Sequence, residues 1–331
     1  MKVLLLGATG LLGHNVLLRL MAEGHEVVAL VRKADGIRLG TENGRWQTVV
    51  GSPLDFDTLL QASQGCDAVV NCAGATNMAL LHYSDFLPAN RDLPKMIARL
   101  VKEHGIRCLV HVSTVNTIGY GTAGHPANEQ SPMMPPFKGS YYADSKLEGE
   151  KEILSVAVDG NHVVVINAGY MLGDYDVKPS SGRMLLAAYK MPLMLAPKGG
   201  KAFVHVKDVA EAVVAALSKG ENGQRYIVTS SKGCYTIRQL YELQAKVCGY
   251  KQLILPLPGW LMIIAGGFGD CLRAMGVRTQ LSTRNVRQLL VREYYDNHHG
   301  IKDLGFHETS IADAIKDFFE WRKISLSNCT K

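Results

Sequence analysis

The chain opens on Lys2-Val3-Leu4-Leu5-Leu6 and runs straight into Gly7-Ala8-Thr9-Gly10-Leu11-Leu12-Gly13. A short, almost wholly apolar run suits a strand buried on both faces of a parallel sheet. Beyond the glycines, Val16, Leu17, Leu20 and Met21 recur at helical spacing and Gly24 supplies a stop. Strand, glycine turn and helix in that order make G-x-x-G-x-x-G a dinucleotide-binding pattern, because glycine lets the backbone turn sharply and approach a pyrophosphate at the positive end of the helix. Gly7, Thr9, Gly10, Leu11, Leu12 and Gly13 are therefore expected to meet a cofactor.

A second strand is expected over 26–31. A carboxylate at its end would hold the adenosine ribose of NAD, but the chain reads Arg32-Lys33, and Arg32 lies 19 residues after Gly13. A guanidinium there suits the additional phosphate of NADP. NADP is expected over NAD, with Asp35 the nearest acid. Further strands are expected over 46–50, 67–72, 107–112, 162–167 and 225–229. The helical patterns between them include Leu93, Ile97, Leu100 and Val101, with Pro94 in the first turn and Gly105 as the stop. This alternation predicts an α/β, doubly wound parallel sheet. Gly7, Arg32, Ser52, Ala73, Ser113 and Gly169 all fall just past strand ends, so they converge on the one sheet edge where such folds bind ligands. A Rossmann dinucleotide-binding domain is expected over 1–170, with 203–230 returning to it. A smaller C-terminal α/β substrate domain takes 171–202 and 231–331.

Composition narrows the function. The chain has 331 residues, 47% of them hydrophobic, and a net charge of +6 with its cations scattered. That favours mild attraction to anionic ligands and excludes the basic stripe nucleic acid would need. Seven cysteines, an odd number with no C-x-x-C pair, read as reduced thiols in a cytoplasmic protein. The N-terminus lacks the pattern of a signal peptide. The uncharged run 252–269 is interrupted by Pro256, Pro258 and four glycines, so it predicts a cover over an apolar cleft or a shallow membrane contact and not a membrane span. His298-His299 reads as a surface turn, and no metal site is expected.

Tyr142 and Lys146 stand four apart, on one face if the segment is a helix. A fixed ammonium beside a phenol is expected to draw its pKa from about 10 toward the working range. The pair then forms a device for moving a proton.

These residues together resemble the extended short-chain dehydrogenase/reductase superfamily over nearly the whole chain. The resemblance rests on Gly7 to Gly13, Cys72-Ala73-Gly74-Ala75, Asn90, Val112-Ser113-Thr114 with Gly119, Tyr142 with Lys146, and Phe203 through Ala210. Arg32 and a closing segment with Tyr294-Tyr295-Asp296, Leu304-Gly305-Phe306, Ala314-Ile315 and Trp321 resemble the dihydroflavonol-reductase-like and 3β-hydroxysteroid-dehydrogenase-like branch. The resemblance implies Tyr142 as general acid/base, Lys146 as its cation and ribose contact, and Thr114 as the hydroxyl that polarises the substrate oxygen. It places Ser113 beside the nicotinamide and Asn90 where it orders backbone and water, with a helix cap or turn residue the plainer role for Asn90. It implies Cys72, Ala73 and Gly74 along the cofactor, and a homodimer. Three positions depart from the family pattern. Ser52-Pro53 replaces an acid, with Asp55 a candidate substitute; Asn167-Ala168-Gly169 replaces Arg-Pro-Gly; and Cys72 to Ala75 is closer to the single-domain relatives.

The expected function is an NADP-dependent oxidoreductase that interconverts a carbonyl and an alcohol on a fairly apolar or amphiphilic small molecule. The alternatives are a nucleotide-sugar epimerase or dehydratase with a retained NAD(P), for which Arg183 and Lys190 could face a diphosphate, and a non-catalytic NADP-binding sensor or scaffold. Substrate choice is expected from 78–86, 174–201 and 233–292.

Overall fold

The computed structural model describes residues 1–33 and 45–328, so Asp35 lies outside the described residues. A parallel seven-stranded sheet forms the centre. It is built from β1 (Lys2–Leu6), β2 (Glu26–Val31), β3 (Trp46–Val50), β4 (Ala68–Asn71), β5 (Cys108–Thr114) and β6 (His162–Ala168), with a later strand from residues 225–228 at one edge. Two small sheets draw on β7 (Tyr170–Leu172), β8 (Leu193–Pro197) and β9 (Gly200–His205). The late strand of the main sheet is β10 (Arg225–Val228), followed by β11 (Cys234–Thr236) and β12 (Leu253–Leu257). The main order is β10-β6-β5-β4-β1-β2-β3, whereas β11-β9-β7 and β12-β8 stand apart. The order reverses between β1 and β4, and a crevice opens at such a switch point.

The apolar opening of the chain explains why β1 is central. Val3 and Leu5 belong to the core on one face of the sheet, Leu4 and Leu6 to the core on the other, and all four are fully buried. Each such side chain contributes roughly 1.5–3 kcal/mol. On the first face lie α1 (Leu11–Ala22) and, from further along, the helix over 206–215; on the second lie α2 (Phe56–Ser63), α3 (Leu93–His104) and part of α4 (Tyr141–Leu154). Helix α3 has Pro94 in its first turn and ends on Gly105 at φ 75°, as its sequence predicts.

The remaining helices are α5 (Arg183–Ala188), α6 (Val206–Ala215), α7 (Ile237–Cys248), α8 (Gly259–Ala274), α9 (Thr283–Gln288), α10 (His298–Leu304) and α11 (Ile311–Asn328). Helices α7 and α11 pack on β9 and β7 through Leu240, Ile315 and Phe318. Leu304 at the end of α10 and Phe306 just beyond it return to the core of the main sheet.

The glycine turn is held by backbone contact. Gly7 has φ 83°, and a Cβ there would sit 2.7 Å from the Ala73 nitrogen; a Cβ on Gly13 would sit 2.1 Å from the Gly7 oxygen. Strand β4 and helix α1 thus close on the turn from two sides, and only glycine leaves room.

Candidate active site

Helix α4 carries the proposed proton-transfer pair. Ser140 precedes it in extended conformation, and the Asp144 carboxylate near its start accepts from the Gly139 N–H at 3.2 Å. Negative charge near the N-terminus suits the helix dipole. Its inward face carries Ser145, Lys146, Gly149 and Glu150, all buried, with Tyr142 half-buried. Gly149 has no room for a side chain, since a Cβ would sit 2.0 Å from the Asn90 oxygen.

Asn90 lies in the π-helical turn Pro88–Asp92 and is fully buried. Its Oδ1 accepts from the Ala75 N–H at 2.8 Å, and its Nδ2 donates to the Ala75 oxygen at 3.1 Å and to Ser145 Oγ at 2.9 Å. Ser145 Oγ in turn donates to the Tyr142 oxygen at 2.9 Å. Asn90 is therefore not a helix cap. It ties the loop after β4 to the α4 face that bears Tyr142 and Lys146.

Lys146 Nζ donates to the Val112 oxygen at 2.7 Å and faces the backbone of Gly74, whose added Cβ would lie 3.8 Å away. Burial lowers its pKa to about 8, partly offset by the Glu150 carboxylate and the Cys72 thiol. Burial likewise raises the Tyr142 phenol to about 12, against a hydrogen bond with Thr114 that favours ionisation. The expectation that the ammonium draws the phenol down is thus corrected: desolvation dominates both groups, and the charge that acts on the phenol is the Glu150 carboxylate, which raises it further. Thr114 is buried, and its Oγ1 also accepts from the Asn116 N–H at 3.2 Å. Cys72 is a thiol pushed up to about 12 by burial.

Beneath this pair lies an arrangement that the sequence did not disclose. Glu150 is 1% exposed. Its Oε1 accepts from Ser113 Oγ, from Thr117 Oγ1 at 2.6 Å and from Asn167 Nδ2 at 2.9 Å. Arg225 on β10 reaches Oε2 at 3.4 Å and also donates to the Glu129 oxygen. The Ser113 hydroxyl is consequently committed to Glu150 and supports the site from below. Asn167 stands where the family pattern has arginine, and Arg225 brings a guanidinium to the same carboxylate from the neighbouring strand. The one signal available was that Glu150 follows Lys146 by four residues, on the same helix face.

The glycine turn fits a pyrophosphate. Thr9 and Gly10 are exposed, whereas Leu11, Leu12 and Gly13 are buried in the start of α1. Helix α1 begins at Gly10 with no side-chain cap and no acid in its first turn, leaving its first N–H groups directed toward the turn. Leu6 pairs with Leu30, so Arg32 and Lys33, both exposed, stand past the same sheet edge as the turn. Ser52 is exposed and accepts from the Leu54 N–H at 3.3 Å. Asp55 caps α2 by accepting from the Thr58 N–H. Gly169 permits close packing of β6 on β9, because its Cβ would meet the Ala202 oxygen at 2.5 Å.

A cavity of about 600 Å³ lies beyond Tyr141 and is lined by Leu81, Lys138, Asp270, Arg273, Arg284 and Arg287 among others. A smaller one shares Tyr141, Arg273, Ser282 and Arg284 with it and reaches Tyr142 past Met78, Leu80 and Phe86. Arg273 donates to the Met78, Leu80 and Thr279 carbonyls and joins the loop after β4 to α8. Arg284 lies 3.7 Å over the Tyr141 ring. Of the three segments expected to select substrate, parts of 78–86 and 233–292 form these walls. Segment 174–201 does not line them. Arg183 donates to the Pro179 oxygen, and neither it nor Lys190 lines either cavity. His299 is engaged with Asp303 at 3.0 Å, and among the described residues no cluster of three metal-binding side chains occurs.

Residues 3–229 match the model of the NAD dependent epimerase/dehydratase family. The chain is 26% identical to sterol demethylase protein B of Methylococcus capsulatus over 97% of this chain and 98% of that one. It is also 26% identical to a 4-hydroxy-2-methyl-3-oxo-4-farnesyl-3,4-dihydroquinoline-1-oxide ketoreductase of Stigmatella aurantiaca, over 82% and 80% of the two chains. Its fold superposes on UDP-glucose 4-epimerase from Thermotoga maritima with TM-score 0.77 at 18% identity, covering 98% and 100%.

Proposed function

Because the chain belongs to the NAD dependent epimerase/dehydratase family, within the extended short-chain dehydrogenases/reductases, and is an NAD(P)-dependent oxidoreductase, we propose that it uses NADP to reduce a ketone on an amphiphilic small molecule. The observation that carries this reading is the inward face of α4, where Tyr142 and Lys146 stand one turn apart, Lys146 Nζ held by the Val112 oxygen and the helix tied through Ser145 and Asn90 to the loop after β4. The relatives' names support it, one referring to a sterol and another to a farnesylated ketone.

A bound nicotinamide supplies the hydride in such a reaction. The chain's own residues handle the oxygen and the proton. Thr114 donates a hydrogen bond to the substrate oxygen as negative charge builds there. Tyr142, a phenol held protonated by burial, releases its proton from Oη to that oxygen. Lys146 offsets the phenolate left behind. Asn90 fixes the loop and helix that set the spacing, while Gly7, Gly10 and Gly13 admit the pyrophosphate and Arg32 takes the additional phosphate. The larger cavity takes the substrate's body against Leu81, Pro136 and Tyr141, with Lys138, Arg284 and Arg287 facing an acidic end.

Cofactor preference tests Arg32 directly. NADP+ is expected to raise the melting temperature more than NAD+ does, and Arg32→Ala is expected to reduce affinity for NADP+ by about ten- to a hundredfold with little change for NAD+. Equal shifts by both nucleotides in the parent chain would remove the assignment.

Lys146 gives the reaction a pH dependence. Its charge is lost as pH rises through about 8, so ketone reduction is expected to slow across that range. Stability moves the other way. The folded pKa of about 8 lies below the ordinary 10.5, so the cost of burying the ammonium is fully present below 8 and is relieved as pH climbs from about 8 to 10.5. Urea midpoints should show this upward component in the parent and lack it in Lys146→Met.

The epimerase reading has one observation in its favour, the cations Arg284 and Arg287 on the cavity wall, which could hold a diphosphate. It expects a cofactor that stays bound and is not consumed. Stoichiometric loss of NADPH with a ketone decides against it.

A further inference from the structure

Helix α8 is built the wrong way round for a helix on the surface of a water-soluble domain. Its inner face is small: a Cβ on Gly266 would sit 2.9 Å from Thr283 Cα, and one on Gly269 would sit 2.2 Å from the Leu281 oxygen. Its outer face holds the large apolar residues, with Trp260 64% exposed, Ile264 63%, Phe268 64% and, just past the end, Met275 71%. Spacing of four residues aligns the first three on one stripe. The two-stranded sheet that leads into α8 continues the pattern, since Leu253 is paired with Leu193 and Leu255 with Leu195, and all four are exposed. An apolar face of this extent marks a contact with something apolar.

The charge around the face selects the occupant. Residues 251–292 hold six cations (Lys251, Arg273, Arg278, Arg284, Arg287 and Arg292) and one acid, Asp270, whose carboxylate accepts from the Thr283 N–H at 3.2 Å. Of these, Arg273, Arg284 and Arg287 line the cavity beside the helix, and Lys251, Arg278 and Arg292 are exposed. A second copy of the chain would bring like charge against like. An anionic surface with an apolar interior satisfies both features. Among the described residues no helix is long and apolar enough to cross a membrane, so the geometry fits a helix that lies in the interface plane with Trp and Phe inserted and Lys and Arg at the headgroups.

We propose that the α8 face docks the protein on an anionic phospholipid bilayer. The larger cavity is lined by Asp270, Arg273 and Ala274 of the same helix, so the docked face stands beside the cavity that leads to Tyr142. The proposal rests on that face and not on the reaction assigned above, and its test does not involve turnover.

The full chain is sedimented with vesicles of phosphatidylcholine and phosphatidylglycerol, and with vesicles of phosphatidylcholine alone. Binding is expected to the anionic vesicles, to weaken with added salt, and to fall by at least about tenfold in Trp260→Ser/Phe268→Ser. Both side chains are largely exposed, so the double variant should melt with the parent chain. Brominated acyl chains are expected to quench tryptophan emission in the parent and to lose most of that effect in Trp260→Phe. Absence of binding to anionic vesicles overturns the proposal, as does binding that the double variant leaves unchanged. Self-association in sedimentation velocity that the double variant abolishes, without vesicle binding, assigns the face to a second copy instead.

Discussion

Tyr142→Phe is expected to lower ketone-dependent NADPH oxidation by about a thousandfold while leaving NADP+ binding in place. The substitution removes one oxygen. Lys146 keeps its bond to the Val112 oxygen, Asn90 and Ser145 keep theirs to the loop and to the Tyr142 backbone, and the ring fills the same space. What disappears is the proton that the phenol delivers. Steady-state rates beside a cofactor titration separate the two effects. A variant that binds NADP+ normally and turns over within a few-fold of the parent would mean that the proton reaches the substrate by another route.

Glu150→Ala is expected to cost about 3–5 kcal/mol of stability, seen as a lower urea midpoint and a lower Tm. Its carboxylate is 1% exposed and gathers Ser113, Thr117, Asn167 and Arg225. Truncation leaves the Ser113 hydroxyl without its acceptor and Arg225 without its counter-charge, while Thr117 and Asn167 each lose one acceptor and keep the Thr114 oxygen. Glu150→Gln retains an acceptor oxygen and should lose less. Because Thr117 bonds the Thr114 oxygen at 2.8 Å as well as Glu150, turnover should fall with stability in the alanine variant. An alanine variant with the parent's urea midpoint would show that the network carries no net energy.

The parts of this molecule that were legible in its sequence are those fixed by local backbone need. Four apolar residues before three spaced glycines leave few structures open. The structure places them on a central strand, with turn and helix too close for any side chain at Gly7 or Gly13. The pattern through Leu93 to Gly105 was legible for the same reason, as proline and glycine act where they stand. What escaped depends on who is across the sheet. Glu150 reads as an ordinary helix glutamate until β10 brings Arg225 beside it, 75 residues later in the chain. Asp55 reads the same in the sequence whether or not it caps a helix, and only the packing of Thr58 shows the cap. The direction of the Tyr142 shift escaped because proximity to Lys146 can be counted along a helix, whereas burial cannot. Arg284 and Arg287 displaced Arg183 and Lys190 as the cavity's cations through packing of α8 and α9 that no local signal announces.

The account turns on a hydride and a proton meeting one carbonyl at Tyr142, and isotope tracing tests that most directly. A ketone that supports NADPH oxidation is reduced with NADPH carrying deuterium at the transferable position of the nicotinamide, and the product is weighed and its label located. The account expects deuterium on the carbinol carbon, with one NADP+ formed for each alcohol. An alcohol without deuterium on its carbinol carbon, or a label lost to solvent, would contradict it.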